Sequence, residues 1–142
     1  MNDPLAVTVK LMNQKMQFSG TARALPAVTA DYFPPLGDGH GYTGLELLLL
    51  SLAVCSATSI VSLLRRMKKT VSDFQVNASG IRREQHPTSF NKIFLIFILT
   101  SPDAADADLQ KAVQLSEETF CPAWAMLKGN VEIVYEIKIK AG

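Results

Sequence analysis

From Leu45 to Lys69 the chain reads LELLLLSLAVCSATSIVSLLRRMKK. Between Leu47 and Leu64 it holds no charge, and Arg65, Arg66, Lys68 and Lys69 close it. Thr43 with Glu46 three residues on is the pattern of a reciprocal helix cap, so a helix is expected from there to about Lys68 or Lys69. A helix that is apolar almost all round is either a membrane span or a core helix buried on every side. The basic end fits the first reading. Ser51, Ser56, Thr58, Ser59 and Ser62 inside the run, and strand patterns on both sides of it, favour the second.

Working outward, Ala6–Met12 and Met16–Ser19 flank Asn13-Gln14-Lys15 as a hairpin, and Ala27–Ala30 is a third short strand. The stretch DYFPPLGDGHGYTG, Asp31 to Gly44, is dense in glycine and proline and must be a loop. After the helix, Phe74, Val76, Ala78 and Gly80 keep period two within Val71–Arg83, and 85–88 turns the chain. KIFLIFILT, Lys92–Thr100, is continuously apolar, as in a strand buried on both faces. Ser101 or Asp103 is expected to cap a helix running to Thr119 with Leu109, Ala112, Val113 and Leu115 inward. Pro122 opens a short helix that Gly129 ends. In the last strand Val131, Ile133, Tyr135, Ile137 and Ile139 alternate with charged residues. These elements give one α+β domain spanning 1–142.

Hydrophobic residues make up 48% of the chain and the net charge is +1. That composition argues for a packed core and against disorder. It offers no basic stripe interleaved with aromatics, which argues against a nucleic-acid partner. The N-terminus lacks the apolar stretch of a signal peptide. The expected setting is the cytoplasm, away from any membrane, where two cysteines are more often redox-active than structural.

Those cysteines, Cys55 and Cys121, lie far apart in sequence. At about 100° per residue, Ser51, Cys55, Ser59 and Ser62 fall on one stripe of the long helix. Two readings stand: small residues for close helix packing, or the lining of a site around Cys55. Cys121 sits between the end of one helix and the start of the next, where free backbone N–H groups favour a thiolate. A cysteine in either place can also simply pack. Of the other candidates, His40 borders the glycine-rich loop and His86 precedes Pro87 in a turn. Two histidines and two cysteines scattered in this way do not suggest a metal site. GDGHGYTG lacks the Lys-Ser/Thr of a phosphate loop. No cofactor is expected.

LELLLLSLAVCSATSI, the basic helix end, the two strands and EETFCPAWAML together resemble the OsmC/Ohr superfamily. The match runs from Phe18-x-Gly20 to the terminal strand, and Phe120-Cys121-Pro122 is its most specific part. The resemblance implies an intertwined homodimer, with antiparallel-rich sheet regions around a long central buried helix. It also implies metal-free reduction of organic hydroperoxides by two cysteines, Cys55 attacking and Cys121 resolving, as peroxiredoxins do in oxidative stress. A lipoyl-type external dithiol would recycle them.

The chain departs from the hydroperoxidase pattern in two places. The family's glutamate position, ten residues before the first cysteine, holds Leu45, and the neighbouring Glu46 points away from Cys55 on a straight helix. The family's helix-entry proline is Gly44. Arg23 is the one arginine in the region where the family places its catalytic arginine. Arg23, Glu46 and His40 are therefore carried as candidates for supporting the site. These departures match the OsmC-like branch. Two functions from different classes follow: a thiol-dependent peroxidase, or a stress-response or ligand-binding protein with inert cysteines. A cation beside Cys55 discriminates them, because a buried thiol without one keeps its proton.

Overall fold

The computed structural model describes residues 3–142, so Met1 and Asn2 of the leader reading lie outside the described residues. The chain forms two compact units, the first ending at Leu48 and the second spanning Leu49–Gly142.

The N-terminal unit carries a three-stranded antiparallel sheet, β1 (Thr8–Leu11), β2 (Phe18–Thr21) and β3 (Val28–Ala30), in that order. The turn at Asn13 forms because its side-chain oxygen accepts the N–H groups of Lys15 and Gln17. The glycine-rich loop is organised by buried Asp31, whose carboxylate accepts the backbone N–H groups of Tyr32, Asp38 and His40. Burial pushes that carboxyl group up, and the three N–H donors more than reverse it, so it ionises below the usual carboxylate range.

Helix α1 (Gly44–Arg66) begins where the sequence places it. Glu46 accepts the Thr43 N–H at 2.8 Å, and the Thr43 hydroxyl accepts the Glu46 N–H at 3.3 Å. It ends a little earlier than expected, as Lys68 turns into the left-handed region at φ 61°. Leu52, Ser56, Ile60 and Leu64 form its buried line. Leu50 remains 44% exposed and Val54 63%. Within one chain this helix has one buried face and an apolar face left open.

In the second unit β4 (Asp73–Arg82), β5 (Phe90–Thr100) and β6 (Glu132–Lys140) form a sheet with β5 in the middle. β4 pairs antiparallel to β5, and β6 pairs parallel. Ile93, Leu95, Phe97 and Leu99 fill one face of β5, while Phe94, Ile96 and Ile98 on the other are only half-buried. β5 is thus fully buried on one face rather than on both. Gly80 leaves room for Phe90, whose ring a Cβ there would meet.

Helix α2 (Asp106–Leu115) turns Leu109, Ala112 and Val113 inward. Its cap is not the expected Ser101 or Asp103. The Asp108 carboxylate instead accepts the Ala105 N–H at 2.8 Å. Asp103 is taken by Thr70, whose N–H and hydroxyl both donate to it. Nor does the α-helix continue to Thr119: Ser116–Phe120 widen into a π-turn, closed by Cys121 N–H to Ser116 C=O at 2.9 Å. Pro122 disfavours helical geometry at the residue before it, and Cys121 is extended at φ −91°, ψ 105°. α3 (Pro122–Leu127) follows, and its Trp124 is 1% exposed. The indole stacks 6.4 Å from Phe97 and meets Tyr135 edge-on at 6.0 Å.

Lys68 is a lysine in a backbone conformation that favours glycine, with its N–H on Arg65 C=O. Lys68→Gly is expected to stabilise the protein by about 1 kcal/mol, or about 3 °C in a thermal melt. An unchanged or lower Tm would contradict this account of the helix end.

Candidate active site

Two elements of the second unit bring the cysteines together. α1 carries Cys55 at its centre, and the π-turn delivers Cys121 as the N-terminal cap of α3. Cys121 is 3% exposed and accepts the Trp124 N–H at 3.4 Å. The Ser56 hydroxyl lies 3.6 Å from its sulfur. One turn further along α1, the Ser59 hydroxyl meets that of Ser116 at 2.5 Å, fastening the π-turn to the same helix.

Cys55 is half-buried rather than fully buried, and both thiols are free. Burial pushes the Cys55 thiol above its ordinary value; the Ala123 N–H works the other way, and the hydrogen bond and charge of Cys121 push up again. Cys121 is thus near enough to act on the Cys55 thiol. Cys55 faces a cavity of about 310 Å³ lined by Thr58, Ser59, Ser62, Leu63, Arg66, Phe120 and Pro122 as well. Its lining combines the hydroxyls of Thr58, Ser59 and Ser62 with apolar Leu63, Phe120 and Pro122.

The small-residue stripe read from sequence is thus represented in the cavity by Cys55, Ser59 and Ser62. Two residues were not singled out, Arg66 in the cavity and Ser56 beside Cys121. Arg66 extends the same stripe by one more turn, a spacing legible in the sequence. It makes no ion pair or hydrogen bond among the described residues. Ser56 escaped because it lies off the stripe, on the buried line of α1.

The remaining candidates belong to the N-terminal unit. Glu46 is held in the helix cap. Arg23 is exposed in the β2–β3 turn, in the left-handed region at φ 55°. His40 and Glu46 line a cleft of about 640 Å³ with Tyr32, Phe33 and Tyr42. Asp31, Asp38 and His40 bring one ligand atom each within 4.8 Å of one another. The Asp31 oxygens there already accept backbone N–H groups, and Asp38 pairs with Lys15 at 2.7 Å. That arrangement is a loop brace.

The comparisons identify the family and the fold. The family model for OsmC-like protein matches residues 37–136. Protein YhfA of Escherichia coli K12 is 36% identical over 97 residues, covering 68% of this chain and 72% of its own. A hypothetical protein from Aquifex aeolicus superposes with a TM-score of 0.86 at 25% identity, over 99% of this chain and 98% of that one. An organic hydroperoxide resistance protein OsmC from Legionella pneumophila shares the fold, with a TM-score of 0.71 at 14% identity over 97% and 98%. From the cap of α1 through the two cysteines to the last strand, the chain belongs to the family of OsmC-like proteins.

Proposed function

We propose that this protein reduces organic hydroperoxides, with Cys55 as the attacking thiol and Cys121 as the resolving thiol. The observation that carries the reading is the pair itself: Cys55 lines a part-apolar cavity, and the buried Cys121 lies close enough to act on its thiol. The Cys55 thiolate attacks the terminal peroxide oxygen. The O–O bond breaks, and the alkoxide takes a proton and leaves as an alcohol. Cys55 is now a sulfenic acid. The Cys121 sulfur attacks it, the S–S bond forms and water departs. An external dithiol, of the lipoyl class, returns two electrons. Leu63, Phe120 and Pro122 favour an alkyl peroxide over hydrogen peroxide. A reducing, cytoplasmic setting suits this cycle.

One observation favours the second reading, a binding protein on the same fold. Burial holds the Cys55 thiol above its ordinary value, and among the described residues no cation offsets the shift. The peroxidase reading therefore carries a specific pH signature. Thiolate appears only as pH climbs through the raised value, so Cys55 oxidation by an alkyl hydroperoxide should accelerate about tenfold per pH unit from pH 7 to about pH 9. A plateau reached by pH 7 would show that the thiolate is stabilised by a group absent from this account.

Turnover with an alkyl hydroperoxide and a lipoyl dithiol separates the two roles. Cys55→Ser should abolish it. Cys121→Ser should permit one oxidation of Cys55, leave it as sulfenic acid and then allow over-oxidation. An unmodified Cys55 after long exposure of the reduced protein to excess hydroperoxide would overturn the peroxidase reading and favour the binding protein.

The working form is proposed to be a homodimer. Leu50 and Val54 on α1, and Val9 and Leu11 on β1, are exposed apolar residues that a second copy of the chain would cover. Sedimentation at micromolar concentration should give twice the chain mass, and a folded monomer would contradict it.

A further inference from the structure

Ser56 is fully buried, with 0% of its surface exposed, and its hydroxyl is placed against the Cys121 sulfur at 3.6 Å. A buried hydroxyl at the core of an apolar helix is costly unless it is bonded, so this contact is not incidental packing. Cys121 is gripped from two elements at once: the α1 hydroxyl on one side and the Trp124 N–H of α3 on the other. Ser56 also follows Cys55 directly in the helix. A sulfur held by Ser56 is therefore held at a fixed place relative to Cys55.

We propose that Ser56 is a positioning residue for the second half of the reaction. Its hydroxyl keeps the Cys121 sulfur aligned with Cys55 and donates to that sulfur as loss of its proton leaves it a thiolate, ready to attack. This rests on the two-cysteine reading above. In the step concerned, Cys121 loses its proton, its sulfur bonds to the Cys55 sulfur, the Cys55 S–O bond breaks, and hydroxide leaves with that proton as water. Ser56 is neither oxidised nor consumed. The first step, attack of Cys55 on the peroxide, makes no use of it.

Two measurements on the full-length protein test this. In the first, reduced protein receives one equivalent of alkyl hydroperoxide, and sulfenic acid and disulfide are followed separately. Ser56→Ala should oxidise Cys55 at about the wild-type rate yet form the disulfide about tenfold more slowly, the scale of a hydrogen bond to a charged group. Ser56→Thr, which keeps the hydroxyl, should recover most of the loss, and thermal melts of both variants report whether the fold is intact. In the second, the disulfide is made with a small disulfide oxidant instead of a peroxide and equilibrated against dithiothreitol. Loss of a bond to reduced Cys121 should shift that equilibrium about fivefold toward the disulfide in Ser56→Ala. Wild-type resolution and a wild-type equilibrium in a folded Ser56→Ala protein would overturn the inference. Failure of the wild-type protein to react with peroxide would overturn the peroxidase reading instead, and the second measurement would still decide the role of Ser56.

Discussion

Trp124 determines where Cys121 can be. The indole is packed between Phe97 and Tyr135, at the middle of the sheet, and Phe74 stacks on Phe97 from the neighbouring strand at 6.3 Å. Aromatic clusters of this kind bury large areas and tolerate little displacement. α3 is only Pro122–Leu127, too short to be stable alone, so its position is set by this anchor. Cys121 is the residue from which α3 starts, and the Trp124 N–H bonds its sulfur. A core interaction in the sheet is in this way translated into the position of a thiol.

The other thiol is placed by the division of α1 into faces. Leu52, Ser56, Ile60 and Leu64 are spaced four apart and wholly buried. Cys55 lies about 100° away from Ser56 around the helix, at the edge of that buried line. There it lines the cavity, within the influence of Cys121. A shift of one residue either way would bury it completely or move it out of reach. Hydroxyl contacts Ser56–Cys121 and Ser59–Ser116 join the same helix to both ends of the π-turn. π-turns recur at functional sites because the extra residue redirects the chain without ending the helical path. Here the redirection points the backbone of Cys121 out of the helix and its sulfur toward α1.

Much of this was legible from residues alone, for identifiable reasons. The Thr43–Glu46 cap is local, and it forms as the spacing requires. β4 and β6 alternate as written because one face of each is covered and the other is wet. The Pro122 start of α3 and the Gly129 stop are local rules too, with Gly129 at φ 87°. What failed was non-local. Ser101 and Asp103 look like helix caps in sequence, but Thr70, distant in the chain, claims the Asp103 carboxylate. KIFLIFILT carries no sign that one of its faces stays half-open. The π-turn depends on hydrogen bonds five residues apart, for which Ser116–Phe120 show no pattern. Within the site, the pairing of Cys55 with Cys121 was implied by resemblance, whereas Ser56 was hidden because a serine on a buried line reads as a small packing residue.

The central claim is that two thiols distant in sequence form one redox unit. Mapping the disulfides after the reduced protein meets a single equivalent of alkyl hydroperoxide tests it most directly. The account predicts an intramolecular Cys55–Cys121 bond, with one alcohol released per chain and no higher oxide of sulfur. Free thiols after that treatment, or an oxidised Cys55 beside an untouched Cys121, would contradict it.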